Sequence, residues 1–338
     1  MKKACFVIPY FGKLPECLSL FFKSCRYNIG FDWLIFIDDT ESYDYPNNVR
    51  KVYISFDLLR EHIQKKFDFK ISLSFPYKLC DYKPAYGYLF EEYLREYEFW
   101  GYCDLDMIFG DISQFITEDI FSQYDKIGHL GHFTLYRNTV EIRNLFMKKI
   151  RGHEVYKEVY TTDRICLFDE WNYAGKYDII SINDIFRENK KKVFYETTWA
   201  DVYPNDSYMH LYFFDVLKMN GTLDYNNYMF YWEKGRIVGK WKKKGKEYRR
   251  EFMYLHLQKR KMKVEAECVN SMKYYILPDR ILRYDKRSDK PLYWYCTVKK
   301  IFNLKRFKYF WKERCYWVRR KSSLFKHKIL TLLVSDRR

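Results

Sequence analysis

The sequence predicts an α/β fold built on a mainly parallel sheet, and three observations predict it. Two short, nearly continuous apolar runs, ACFVIP at 4–9 and WLIFID at 33–38, have the composition of strands covered on both faces. The segment between them, PECLSLFFKSCRYN, spaces its apolar residues at helical intervals and stops at NIG. The alternation then recurs. A strand-like RKVYIS follows the loop from Asp44 to Asn48, a helix is predicted from near Pro84, and a strand from about Phe99 to Cys103.

Alternating helices and strands favour a parallel sheet, and such sheets gather ligands at the carboxyl ends of their strands. Pro9 to Gly12, Asp38-Asp39 and Asp104-x-Asp106 end three predicted strands and are expected along one edge. Beyond residue 111, DKIGHLGHFTLYRN reads as a strand and turn, 138–150 as a helix, and 177–240 as short strands and helices. EFMYLHLQKRKM, at 251–262, reads as a strand running into a basic loop.

Composition narrows the class. With 48% hydrophobic and 21% aromatic residues, the chain folds rather than staying disordered, and it shows neither an internal repeat nor a linker of low complexity. Nine cysteines never spaced as C-x-x-C suggest neither a disulfide framework nor a thiolate zinc site, which suits a reducing cytosol. The opening MKKACFVIPYFGK is expected to be a buried first strand rather than a leader, and no apolar run is long enough to span a bilayer. Charge is localised: the 15 Lys and Arg of residues 290–338 face only Glu313 and Asp336, while the formal charge of the whole chain is +17.

The stretch FWGYCDLDMIFGDI sets Asp104 and Asp106 one residue apart in apolar and aromatic surroundings. An unpaired buried carboxylate costs several kcal/mol. Residues i and i+2 of a strand share a face, so both acids are expected to converge on a cation. A D-x-D recurs by chance; the preceding strand and the following Phe109-Gly110-Asp111 give this one its weight.

In the order of its pieces the chain resembles GT-A fold glycosyltransferases, and most nearly an uncharacterised group of bacterial enzymes of capsule and cell-surface polysaccharide synthesis. More loosely, it resembles the lipopolysaccharide galactosyltransferase and glycogenin type. The resemblance spans about residues 4–262 and rests most specifically on CDLDMIFGD and YLHLQKR. It implies a GT-A, Rossmann-like catalytic domain over 1–265, its nucleotide-binding half about 1–112 and its acceptor half about 113–265, then a basic, aromatic-rich helical extension over 266–338.

The resemblance also implies site residues. Mn2+ or Mg2+ is expected on Asp106 directly, on Asp104 directly or through water, and on His256; Asp104 alternatively holds the ribose. A hard cation offsets the charge of a departing diphosphate, and an imidazole among oxygen ligands suits Mn2+ better than Mg2+. Lys259 and Arg260 would reach the phosphates. Pro9, Tyr10, Phe11 and Gly12 would form the loop around the base, Asp38 or Asp39 would bind uracil or ribose, and Lys83 would bridge to sugar or phosphate. His132 and Thr134 would line the sugar pocket. Asp169 or Glu170, in LFDEWNYAG, would supply the base of an inverting reaction; a retaining reaction requires none there. Adjacent residues point apart in strands and helices alike, so spacing does not choose between these two acids.

From Tyr293 to Val334 basic residues alternate with Trp, Tyr, Phe and Leu, a pattern suited to an anionic membrane surface, or to a helical pair with a solvated basic face. The expected function is transfer of a hexose, of galactose type, from a UDP-sugar to a lipid-linked or growing surface polysaccharide at the inner face of the cell membrane. A sugar-1-phosphate nucleotidyltransferase of the same fold would carry a glycine-rich phosphate loop, and PYFGKLPE has one glycine. A non-enzymatic membrane or nucleic-acid binder would leave the acids structural and show a steep salt dependence. No nucleic-acid motif is recognisable, and no such partner is expected.

Overall fold

The computed structural model describes residues 2–170, 180–195, 198–203, 208–215, 220–258 and 260–297. Its strands, in chain order, are β1 (Ala4–Pro9), β2 (Phe31–Ile37), β3 (Val49–Tyr53), β4 (Phe99–Cys103), β5 (Met107–Phe109), β6 (Lys126–Leu130), β7 (Phe133–Arg137), β8 (Val193–Phe194) and β9 (Ala200–Asp201). They continue as β10 (Leu211–Asp215), β11 (Asn220–Asp224), β12 (Met229–Glu233), β13 (Arg236–Lys243), β14 (Lys246–Phe252), β15 (Tyr254–His256), β16 (Lys263–Val264), β17 (Lys273–Ile276) and β18 (Arg280–Arg283).

The predicted α/β architecture is present. A seven-stranded sheet runs β3-β2-β1-β4-β7-β6-β8. Its pairs β1–β2, β2–β3, β1–β4 and β6–β8 are parallel, and the hairpin β6–β7 joins it antiparallel to β4. The continuous apolar runs are explained by cores on both faces. Cys5 and Val7 of β1 pack with Leu34 and Phe36 of β2 on one side, whereas Phe6 and Ile8 pack with Trp33 and Ile35 on the other. Helix α1 (Leu18–Arg26) covers the second face, and α2 (Phe56–Gln64), started by the Ser55 hydroxyl accepting from the Leu58 N–H, covers the first.

Strand order reverses beside β1, with β2 and β3 on one side and β4 on the other. Loops leaving β1 and β4 diverge there and leave a crevice. The helix predicted from near Pro84 is a string of short turns instead: Leu79–Tyr82, Lys83–Ala85, Tyr86–Leu89 and Glu91–Leu94. Phe90, at φ −118° and ψ 28°, separates the last two turns, and within Tyr86–Leu89 Gly87 lies so close to Trp100 that a Cβ would stand 2.2 Å from the indole. The helix predicted at 138–150 is likewise only Val140–Asn144 followed by a 3-10 turn, Leu145–Met147.

A six-stranded sheet, β14-β13-β12-β17-β18-β16, and a three-stranded sheet, β5-β15-β9, complete the site's surroundings. Phe230, Trp232, Ile237 and Phe252 pack with Leu20 of α1 on one face of the larger sheet. The helix Asp289–Thr297 brings Cys296 against Met229, Tyr275 and Leu277 on the other. Since β17 and β18 pair beside β12, the division expected at residue 265 cuts through this sheet. Among the described residues no helix is long and apolar enough to cross a membrane. The basic segment read as a membrane contact lies outside the described residues from 298 onward.

Candidate metal centre and its cavity

Asp104 and Asp106 do not share a strand face; with buried Leu105 they form the bend between β4 and β5. Backbone bonds fix that bend. The Asp104 N–H donates to the His132 carbonyl at 3.1 Å, and the Leu257 N–H donates to the Asp106 carbonyl at 2.9 Å. Pairing of β15 with β5 sets His256 opposite Met107, which brings its Nε2 to 3.4 Å from Asp106 Oδ1 and 3.8 Å from Asp104 Oδ2.

The other face of that imidazole is held by Asp201. Pairing of β15 with β9 places the two residues side by side; Nδ1 lies 2.8 Å from Asp201 Oδ1, which also accepts from Gln258 Nε2 at 2.7 Å. An ionised carboxylate only accepts, so Nδ1 carries the proton and Nε2 is the nitrogen turned toward the acid pair. His132 stacks on His256 with ring centroids 4.3 Å apart and meets the Tyr254 hydroxyl at 3.0 Å through Nε2.

Burial opposes a charge on His256, but the Asp106 and Asp201 carboxylates outweigh it and hold the imidazole well above its ordinary value. Burial, with His256 adjacent, pushes His132 down to about 4, so this ring is neutral. Burial alone would raise Asp201; the neighbouring imidazoles and Gln258 reverse that and keep it below the usual carboxylate range.

Among the described residues, two groups each bring their donor atoms within 4.8 Å of one another: Asp104, Asp106 and His256, and His132, Asp201 and His256. The second group is fully buried, and its His256–Asp201 contact is a direct hydrogen bond. The first opens on the crevice with wider separations, a spacing that suits donors grouped about an ion with bonds of about 2.1 Å. Two carboxylates and one imidazole fit a hard or borderline divalent cation, with the second group as the support behind it.

The crevice is a cavity of about 730 Å³. Lys83 crosses its floor, with Nζ 3.0 Å from Asp104 Oδ1, 2.7 Å from the Gly131 carbonyl and 3.6 Å from Asp169 Oδ2. Burial disfavours its charge, yet Asp104 and Asp169 outweigh this and hold Lys83 well above the ordinary lysine value. It is therefore a fixed cation between two sets of acids.

Burial raises Asp169 well above the usual carboxylate range and raises Glu170 as well, with Lys83 offsetting part of each. Asp169 Oδ1 is buried without a hydrogen-bond partner among the described residues, while Glu170 Oε1 accepts from the Gly131 N–H at 3.1 Å. Glycine at 131 leaves room for both carboxylates. A Cβ would stand 2.5 Å from Asp169 Oδ2 and 2.6 Å from Glu170 Oε1.

The segment delivering these acids is anchored from below. Asp81, fully buried, accepts from the N–H groups of Cys166 and Phe168 at 2.9 and 3.0 Å and pairs with Lys78 at 2.8 Å.

The remaining expected residues divide. Pro9, Tyr10, Phe11 and His132 line the cavity. Gly12 sits in the same loop at φ +115° but outside the lining. Asp38 and Asp39 follow β2, one strand farther from the reversal, and also stand outside it; Asp39 Oδ1 accepts from the Glu41 N–H. Thr134 does not line the sugar pocket, because it is fully buried and its hydroxyl donates to the Leu130 carbonyl at 2.9 Å. Arg260 reaches the rim, but its guanidinium donates to the carbonyls of Pro278, Tyr203 and Tyr208, which makes it a clasp for loops. Lys259 lies outside the described residues. Asp201, Gln258 and Tyr254 were not anticipated. A signal existed for the first: in TWADVY, Asp201 is a lone acid in an apolar run.

Over residues 6–285 the chain matches a family of unknown function (DUF6625), and it belongs to that family. No curated protein matches it.

Proposed function

We propose that this family member is a metal-dependent glycosyltransferase of the GT-A type, moving a hexose from a UDP-sugar to a saccharide acceptor, lipid-linked or part of a growing surface polysaccharide. The observation that carries the reading is the convergence of Asp104, Asp106 and His256, with Asp201 behind the imidazole, beside a cavity where the sheet order reverses. Mn2+ or Mg2+ held there supplies positive charge to offset what develops on a departing diphosphate.

The chain's own groups supply the rest. Asp106 and His256 hold the cation, and Asp104 divides its charge between that site and Lys83. Lys83 keeps a permanent positive charge at the floor, where water is scarce and its field is strong. Tyr10 and Phe11 offer ring faces to a base. Glu170 accepts the proton of the acceptor hydroxyl, since its carboxyl lines the cavity and burial raises its affinity for a proton. Asp169, in the cavity lining beside Lys83, helps to hold that lysine at the floor.

A panel of nucleotide sugars screened by thermal shift, with and without Mn2+, tests the class. One UDP-hexose at about 100 times its dissociation constant should stabilise the protein by about 2.7 kcal/mol, a shift of about 5 °C, and only with metal present. A shift with a nucleoside triphosphate and a sugar phosphate would favour the nucleotidyltransferase instead. No shift with any nucleotide would end the reading.

Gly131→Ala is expected to leave the fold intact, because the groups in its way are flexible carboxylate ends, and to displace both acids. Misplacement by about 1 Å costs roughly 100-fold in turnover. Steady-state kinetics should show that loss with an unchanged affinity for Mn2+.

A further inference from the structure

The antiparallel ribbon formed by β13 and β14 is longer than its neighbour. Strand β12 ends its pairing at Met229–Lys240, so Trp241, Lys242 and Lys243 continue past it, paired only with Tyr248, Glu247 and Lys246. Three residue pairs at about 3.4 Å each make a projection of about 10 Å. Every residue from Lys242 to Arg250 is exposed.

Residues 236–252 hold eight Lys and Arg against two acids, and both acids are spent within the ribbon. Glu247 pairs with Lys240 and Arg249 at 3.0 and 2.9 Å, and Glu251 with Arg236 at 3.4 Å. Lys243, Lys244 and Lys246 at the tip are left without an ion pair among the described residues.

Aromatic rings stand directly behind these ammonium groups. Trp241 stacks on Tyr248 across the ribbon at 5.6 Å and rests on Tyr228 at 4.9 Å; Tyr248 is 37% exposed and Tyr225, on the adjoining loop, 71%. Cations outermost set the charge of the tip against anionic head groups, with the rings behind them stiffening the ribbon.

We infer that this ribbon docks the protein on a bilayer rich in anionic phospholipid. Lys242 Nζ lies 5.0 Å from the ring of Tyr293 in the helix Asp289–Thr297, so the base of the ribbon is braced by that helix while its tip stands free of it. Lys243 and Lys244 line a surface hollow with Asn226, Trp241 and Tyr248, and Lys246 lies outside that lining, so the charge spreads wider than one head group would meet. The inference does not depend on the transferase reading, because vesicle binding is measured without donor or metal.

The test is sedimentation of the full chain with vesicles of phosphatidylcholine alone and of phosphatidylcholine with one third phosphatidylglycerol. Each lysine at such a surface strengthens partitioning about fivefold, so joint Lys243→Ala, Lys244→Ala and Lys246→Ala should lower binding to the anionic vesicles about 100-fold. The same three positions changed to Arg should bind as the wild type does and show that the fold is intact. Joint Lys148→Ala, Lys149→Ala and Lys190→Ala removes equal exposed charge elsewhere and should change little. Unchanged binding by the first variant, an equal loss in the control, or equal binding to neutral vesicles would each overturn the proposal. So would a duplex DNA that competes the tip away from anionic vesicles at the same salt.

Discussion

Asp106→Ala is expected to abolish the metal-dependent stabilisation by donor and to lower turnover by about 1,000-fold, the effect of about 4 kcal/mol of lost charge stabilisation. The size follows from where the side chain stands. Asp106 is 13% exposed, its Oδ1 is 3.4 Å from His256 Nε2, and its carbonyl is bonded to the Leu257 N–H, so the carboxylate is a donor held in place by the bend. Asp104→Asn should cost less, since Asp104 also serves Lys83 and its side chain is 37% exposed. Asp106→Asn should fall between, keeping an oxygen donor while losing the charge. Calorimetric titration with Mn2+ and a UDP-sugar, with far-UV circular dichroism as a check on folding, orders the three variants. Wild-type donor affinity and turnover in Asp106→Ala would reject the metal assignment.

That acid pair was readable from sequence because burial of charge is a local signal: two carboxylates inside an apolar run demand a partner wherever the chain goes. The first βαβ unit was readable for a similar reason, since strands buried on both faces have to be apolar throughout. Asp201 was not found, because its role rests on the two-residue strand β9, and its partner is 55 residues away. Nothing local to TWADVY says which imidazole it will meet. Thr134 fails as a sugar ligand for a converse reason: in a hairpin a hydroxyl finds a carbonyl close by, and Leu130 is that carbonyl. The helix expected after Pro84 is interrupted at Phe90, whose ring is fully buried against Phe36, so tertiary packing prevailed over helical periodicity there. The boundary expected at 265 followed composition, whereas KYYI and RILR are too short to announce that they finish a sheet begun at Met229.

Asp81→Ala should be the most destabilising single change considered, at about 3–5 kcal/mol or a melting temperature lower by about 6 °C. Lys78 and Asp81 are both fully buried, and without the carboxylate the ammonium keeps only the carbonyls of Val159 and Arg164. The N–H groups of Cys166 and Phe168 lose their acceptors at the same time. A double variant, Lys78→Met with Asp81→Ala, separates the two consequences. Removing the stranded charge should restore much of the stability, because a buried pair is worth little beyond the cost of breaking it. It cannot restore the acceptors, so the segment bearing Asp169 and Glu170 stays loose. The double variant should therefore melt nearer the wild type and bind Mn2+ and donor normally, since Asp104, Asp106 and His256 sit on other elements, while its kcat falls. Full turnover in that variant would show that the buried pair serves stability alone and that the two acids are positioned by Gly131 and Lys83 without it.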